Sequence, residues 1–174
     1  MKFLPKLSPA TIAGWVFFAC LLAGCANTAP LPTASPTLPA VVSPTTVPLP
    51  TLALPIPASL TECGAEAAIT LAQYHADWAS AVEQVVGECG NESCRAQVGE
   101  SASLQARSAL QAYAVPACLQ PAQQAAVAFF SERELAYQAL QQGDSNTFTA
   151  HLAQGESQRQ TMVSAIEQVL AGGN

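Results

Sequence analysis

Positive charge is scarce in this chain. The 174 residues include six Lys and Arg against 12 Asp and Glu, for a net charge of −6. Both lysines, Lys2 and Lys6, lie near the amino end. The other strong cations are Arg95, Arg107, Arg133 and Arg159. So few cations argue against nucleic acid as a partner and against direct adhesion to anionic lipid headgroups.

Sequence motifs of catalysis are also missing. Neither of the two histidines, His75 and His151, lies in a Glu-x-x-His pair of the kind with which four-helix di-iron proteins hold metal. No Cys-x-x-Cys-His haem motif, Gly-x-Ser-x-Gly elbow, Walker loop or Gly-x-Gly-x-x-Gly fingerprint is present. The sequence therefore predicts a non-enzymatic protein without a metal ion or cofactor.

The amino end carries a short apolar segment, from Ile12 to Leu22, behind the two lysines. It ends in Leu22-Ala23-Gly24-Cys25 and is shorter than the roughly 20 residues that a settled membrane helix needs. This arrangement resembles the signal peptide and lipobox of bacterial lipoproteins. The resemblance implies that residues 1–24 are cleaved and that Cys25 receives a thioether-linked diacylglycerol and further acyl chains such as palmitate. An ordinary secretory signal or an uncleaved anchor is the alternative.

The same resemblance implies an extracytoplasmic location, with the membrane as a partner through a stable lipid anchor. Ala26 stands where some lipoproteins carry an inner-membrane retention aspartate. A cell with two membranes would then send the protein to the outer membrane, and a cell with one would display it on its surface. Loss of Lys2 and Lys6 with the signal takes the net charge from −6 to −8.

The segment after Cys25 has the composition of a linker. From Ala26 to Pro57 it contains no charged residue and is rich in proline, threonine, serine and alanine. Proline removes backbone donors and favours extended polyproline conformations over core packing. Residues 25–58 are therefore predicted to be a lipidated cysteine followed by a disordered stalk.

From Ser59 onward the composition changes to alanine and glutamine, and apolar residues recur at helical spacing. Ser59 and Glu62 have the spacing of a capping box, Asn91 is a good N-cap, and Pro121 suits a first helical turn. The predicted helices cover residues 59–87, 91–115 and 121–143, with a fourth that begins after a cap at Asp144.

Each predicted helix has an apolar seam, and the seam of the fourth is the clearest because its residues alternate in steps of four and three. The seams are Ala68, Leu71, His75, Trp78, Val82 and Val85; Val98, Ala102, Ala106, Ala109 and Tyr113; Ala126, Phe129, Arg133, Ala136 and Leu140; and Phe148, Leu152, Gly155, Arg159, Met162, Ile166 and Val169. Short connections between long helices force antiparallel neighbours. Residues 59–174 are therefore predicted to form an all-α, antiparallel up-down four-helix bundle.

Four cysteines remain in the predicted bundle, and outside the cytoplasm they are expected to form disulfides. Antiparallel packing of the first two helices places Cys63 beside Cys118 at one end and Cys89 beside Cys94 at the other, because both separations are about 25 residues. We predict these two bridges. A zinc site is the competing interpretation, but no paired Cys-x-x-Cys or nearby histidine supports it.

One group of polar residues stands out at mid-height of the predicted bundle. Counted along the helix rise, its cations and two of the nearby carboxylates fall at one level: His75, Arg107, Arg133, Glu134, Glu156 and Arg159. A buried guanidinium must meet a carboxylate, reach water or face an anion. Asp77, Glu132, Glu134 and Glu156 are candidate partners. Three interpretations stay open: an internal ion-pair layer, arginines that extend outward, or a small polar pocket with room left by Ala106 and Gly155.

Two function classes follow from these observations. The first is a tethered, non-enzymatic interaction or structural module of the cell envelope, with an envelope protein as its partner. The second is a lipoprotein that binds a small polar or anionic ligand around His75, Arg133 and Arg159. We prefer the first, because a lipid anchor, a long stalk and a disulfide-locked bundle without a motif serve it directly.

Overall fold

A computed structural model describes residues 49–172, and within this part of the chain all regular secondary structure is helical. The helices are α1 (Ala65–Gly87), α2 (Glu92–Ala112), α3 (Gln120–Gln141) and α4 (Ser145–Gly172), with a short 3₁₀ turn at Ala117–Leu119. The predicted signal peptide and Cys25 lie outside the described residues.

The four helices pack in the order predicted for an up-down bundle. α3 packs against α2 and α4, and α1 packs against α2 and α4. Neighbours run antiparallel, as shown by the contact of Tyr137 on α3 with Phe148 near the start of α4, at 6.0 Å between ring centroids. The predicted all-α four-helix bundle is confirmed.

Both predicted disulfides are present, and they lie at opposite ends of the α1–α2 pair. The Cα atoms are 6.1 Å apart in Cys63–Cys118 and 5.5 Å apart in Cys89–Cys94. In the chain-entropy model, closing these loops contributes about 4 and about 2 kcal/mol to stability, because the first encloses the longer segment. The disulfides tie together α1, α2 and the entry to α3, and neither involves α4.

The ends of three helices follow from their capping residues. The Asn91 side chain accepts a hydrogen bond from the Cys94 amide at 2.8 Å and caps α2. Asp144 accepts a hydrogen bond from the Thr147 amide at 3.0 Å and caps α4. This hydrogen bond lowers the pKa of the Asp144 carboxyl. Gly143, with φ of 73°, supplies the left-handed turn between α3 and α4.

The predicted start of α1 is wrong. The helix begins at Ala65, after Gly64, and no side chain caps it, so the capping-box spacing of Ser59 and Glu62 is not used. Cys63 is held against Cys118 by the disulfide, and Gly64 is fully extended at φ 160° and ψ 179°. The covalent tie sets the chain direction at this point, and local capping propensity does not override it.

The core lies mainly between α1, α2 and α3, and Met162 and Ile166 of α4 also belong to it. Its largest fully buried side chains are Leu71 and Val82 on α1, Leu110 on α2, Leu119 before α3, and Phe130 on α3. The predicted seams of α1 and α2 are mostly buried, although Val85 and Ala109 are only partly so. Leu110 and Phe130 lie one position beyond the predicted seams, because the buried stripe of each helix is wider than a single heptad seam.

The α4 seam is buried less than its pattern suggested. Of its predicted members, Gly155, Met162 and Ile166 are buried, whereas Phe148, Leu152 and Val169 are half-buried. Arg159 is exposed although it occupies a seam position, in line with the interpretation in which the arginines extend outward. α4 lies mainly on α3, contacts α1 less extensively, and exposes much of its remaining surface to solvent.

The part of the predicted linker that immediately precedes Ser59 contacts the bundle. Residues 49–58, which we call the strap, have no regular secondary structure but hydrogen-bond to α2 through Leu52 and to Tyr113 at its end through Ala58. Contacts group the strap and the helices into one compact unit. The described part of the predicted stalk is therefore ordered against the bundle and is not a free spacer.

Candidate functional site

The mid-bundle polar residues are the candidate site, and His75 is the most deeply placed of them. It lies on the inward face of α1 and is 3% exposed. Its ring packs against Phe129 at 4.9 Å and Phe130 at 5.4 Å between centroids. Nε2 has no hydrogen-bond partner among the described residues. Burial, with smaller contributions from Arg159 and Arg133, lowers the pKa of His75 to about 4, so its imidazole is neutral at neutral pH.

Arg133 on α3 reaches α1 through an ion pair. Its NH1 lies 3.2 Å from Oε1 of Glu83, and its guanidinium carbon is 5.4 Å from the centroid of the Phe129 ring. The Arg133 side chain is 14% exposed and the Glu83 side chain 65%, so the charge sits at the rim of the interior. Nε of Arg133 is buried and has no hydrogen-bond partner in residues 49–172. The charge of Arg133 is thus balanced by Glu83, but its guanidinium group is not fully hydrogen-bonded.

Arg107 and Glu134 join α2 to α3. The distance from NH2 of Arg107 to Oε2 of Glu134 is 3.3 Å, and both side chains are partly buried. Oε2 makes no hydrogen bond of good geometry within the described residues, so the attraction is mainly electrostatic. This pair matches the predicted ion-pair layer and uses one of the carboxylates proposed for it.

Arg159 pairs with Glu156 on its own helix, one turn away. Its Nε donates to Oε2 of Glu156 at 2.8 Å, and this hydrogen bond lowers the pKa of the glutamate. About half of each side chain is exposed. An internal layer between helices was one of the interpretations left open for these two residues. In the structure they form an exposed intrahelical pair that does not tie α4 to the bundle.

Two polar contacts at this level were not predicted. Nδ1 of His151 lies 2.7 Å from Oε2 of Glu132 and links α4 to α3. The second contact is the ion pair of Arg133 with Glu83, a residue that directly follows the seam position Val82. Asp77, a candidate partner by height, is exposed. Helical rise identifies the level of a residue but not its angle around the helix, and this angle decided which carboxylates pair.

Little free space remains near Gly155 and Ala106, where a pocket was one of the interpretations. Ala106 is fully buried, and a Cβ on Gly155 would lie 3.5 Å from Cβ of Glu132 and from the carbonyl oxygen of Phe129. Two surface depressions in the described part lie elsewhere. One, of about 640 Å³, is lined by residues 58–67 and Thr70, and another, of about 400 Å³, lies beside Cys63–Cys118. Neither is lined by His75, Arg133 or Arg159.

The residues that the structure describes place no three His, Cys, Asp or Glu side chains together in a way that could hold a metal ion. None of the helices formed by residues 49–172 is both long and apolar enough to cross a membrane. No protein-family model, curated protein or solved structure matches the chain. Function therefore has to be inferred from this molecule's own residues.

Proposed function

We propose that the protein is a lipid-anchored module of the cell envelope that acts by contact with another envelope component and not by catalysis. The observation that carries this proposal is the pairing of its mid-bundle arginines. Arg107, Arg133 and Arg159 each contact a carboxylate, and burial keeps His75 neutral. Little uncompensated positive charge is therefore available to an anion at this level of the bundle. We accordingly place the contact with the other envelope component on the surface of the bundle.

Four exposed apolar side chains, one on each helix, provide a matched set for testing contact. These are Ile69 on α1, Leu104 on α2, Leu135 on α3 and Val163 on α4, with exposures of 37% to 48%. A photoreactive amino acid would replace each in turn in the full chain, and the cells would be irradiated intact. We expect one position to give a discrete crosslinked product and the other three to serve as controls. The absence of a discrete product from all four would contradict the proposal.

The membrane anchor is tested separately at Cys25. We propose that this cysteine carries the lipid, on the strength of the lipobox at residues 22–25. Cells fed an alkyne-labelled fatty acid should incorporate the label into the chain, and Cys25→Ser should abolish labelling. Cys20→Ser is the matched control, because that cysteine precedes the predicted cleavage point. Labelling that survives Cys25→Ser would refute the anchor.

Binding of a small anion is a second candidate, favoured by one observation. Nε of Arg133 and Nε2 of His75 are both buried and lack a hydrogen-bond partner in the described part of the chain. An oxyanion that reached these groups would satisfy them. The test is the thermal unfolding midpoint of the full chain in detergent with phosphate, sulfate, acetate or citrate. A rise in midpoint that Arg133→Gln abolishes would support binding, and no rise with any anion would exclude these ligands.

A further inference from the structure

The strap lies on the bundle with the side-chain alternation of an extended chain. Pro50, Leu52 and Leu54 are half-buried, and the residues between them are exposed. Leu52 and Leu54 pack against the core cluster. A period of two is expected when one face of an extended segment rests on a surface. The strap is therefore held by a specific face and register.

The Gln105 side chain of α2 recognises the strap backbone. Its Nε2 donates to the carbonyl oxygen of Pro50 at 3.0 Å, and its Oε1 accepts from the amide of Leu52 at 2.9 Å. In an extended chain, the carbonyl of one residue and the amide two residues later point to the same side, so one carboxamide can bind both. Nε2 also lies 3.3 Å from the carbonyl oxygen of Ser101, which positions it from within α2.

A second hydrogen bond holds the other end of the strap. The Tyr113 hydroxyl donates to the carbonyl oxygen of Ala58 at 2.9 Å, and the Tyr113 ring packs against Tyr74 at 5.0 Å between centroids. Gln105 and Tyr113 are eight residues apart, which corresponds to about 12 Å along a helix. The strap thus runs along the bundle towards the Cys63–Cys118 end before the chain enters α1.

The composition of the strap suits this mode of binding. Pro50, Pro55 and Pro57 restrict the free chain, which reduces the entropy lost when the strap docks. The strap has no charged residue whose desolvation would oppose docking. Backbone hydrogen bonds with alternate side chains on an apolar surface are also the means by which proteins bind extended peptides.

We propose that Gln105, Tyr113 and the apolar surface between them form a binding seat for an extended, uncharged proline- and leucine-rich peptide, and that the strap of the same chain is its occupant. The tether to the membrane then leaves the folded domain beside the middle of α2 and not from the first turn of α1. The position of the tether rests on the proposed lipid anchor, whereas the seat itself does not depend on the anchor or on what the module contacts.

Amide hydrogen exchange at Leu52 tests the seat directly, because its N–H is the group bound by Gln105. The full chain in detergent micelles would be compared with a synthetic peptide of residues 46–58. We expect the Leu52 amide to exchange at least about tenfold more slowly in the protein. Gln105→Ala should remove this protection, whereas Gln111→Ala, at an exposed glutamine of the same helix, should leave it. Exchange of the Phe130 amide should stay constant in both variants and verify that the bundle is folded.

Three results would overturn the proposal. Leu52 could exchange as fast in the protein as in the peptide, or its protection could survive Gln105→Ala. Protection could also depend on protein concentration and accompany dimers, in which case the strap of a second copy fills the seat. Tyr113→Phe provides an independent check, since it retains the ring but should accelerate exchange across the strap by removing the bond to Ala58.

Discussion

α3 and α4 are adjacent helices with similar apolar patterns, but the structure uses them differently. α3 has eight buried residues among 22, whereas α4 has three among 28. α3 is covered by α2 on one side and α4 on the other, and Phe129 and Phe130 extend to His75 of α1. α4 rests mainly on α3. An apolar period reports which face of a helix turns inward, but the number of neighbours determines how deeply that face is buried.

The largest difference in stability between variants of the two helices is expected when their phenylalanines are replaced. Phe130 on α3 is fully buried, and Phe148 on α4 is half-buried. Phe130→Ala should lower the free energy of unfolding by about 3–5 kcal/mol, because it removes a large core side chain and leaves a cavity. Phe148→Ala should cost about 1 kcal/mol, since part of the ring already meets water. Urea unfolding of both variants measures the difference, and equal losses would contradict the contrast.

The next largest effect concerns acid stability and the two histidines. His75 has a pKa near 4 when folded, against an ordinary value of 6.5, so the unfolded chain takes up its proton first as the pH falls. Its contribution is therefore fully present above pH 6.5 and is lost towards pH 4, by about 3 kcal/mol in total. The free energy of unfolding, measured by urea at several pH values, should show this loss.

Substitution of each histidine separates this contribution from that of the carboxylates. His75→Leu should flatten the dependence between pH 4 and 6.5, because the imidazole that resists protonation is gone. His151→Leu, at a half-buried position of α4, removes the other histidine and shows whether the effect is specific to His75. An unchanged slope in His75→Leu would show that the buried histidine does not govern acid stability.

Glycine-to-alanine substitutions on the two helices that contact α3 should change stability in opposite directions. A Cβ on Gly99 of α2 would fall 2.5 Å from ring atoms of Tyr137, whereas one on Gly155 of α4 would have no contact closer than 3.5 Å. Gly99→Ala should destabilise by about 1–2 kcal/mol through overpacking. Gly155→Ala should stabilise by up to about 1 kcal/mol through helix propensity. Thermal unfolding compares them, and a shift of the same sign in both would argue against the difference in packing.

The smallest expected effects are those of the arginines. Arg133→Ala removes an ion pair and an aromatic contact at the rim of the interior and should cost about 1 kcal/mol. Arg159→Ala removes an exposed intrahelical pair and should leave the urea midpoint unchanged. A double-mutant cycle with Glu83→Gln isolates the Arg133 contribution. A zero coupling energy would show that this pair is incidental.

The sequence was sufficient to predict the helices, their antiparallel order and the cysteine pairing. These features depend on local signals, such as Asn91, Asp144 and Gly143, and on matched helix lengths between Cys63 and Cys118. The start of α1 was not predicted correctly, because a disulfide between distant residues imposed a chain direction that no local pattern contains.

The candidate site was only partly predictable for a different reason. Height along the bundle correctly brought Arg107 to Glu134, but it could not decide whether Arg159 faces inward or outward, and it missed the pairing of Arg133 with Glu83. The angle of each residue around its helix follows from helix periodicity, but whether a residue at that angle meets a neighbouring helix depends on how the helices dock. The strap was missed because proline-rich composition argues for an extended conformation, and an extended segment can be either free or docked.

Residue-resolved hydrogen exchange under native conditions most directly tests the contrast between α3 and α4. The measured quantity is the opening free energy at amides of Phe130 on α3 and of Met162 and Ile166 on α4. Because α4 has few buried residues and no disulfide, we predict that its amides exchange through openings of lower free energy than those of α3. Equal opening free energies across both helices would show that they unfold as one cooperative unit and would contradict the account.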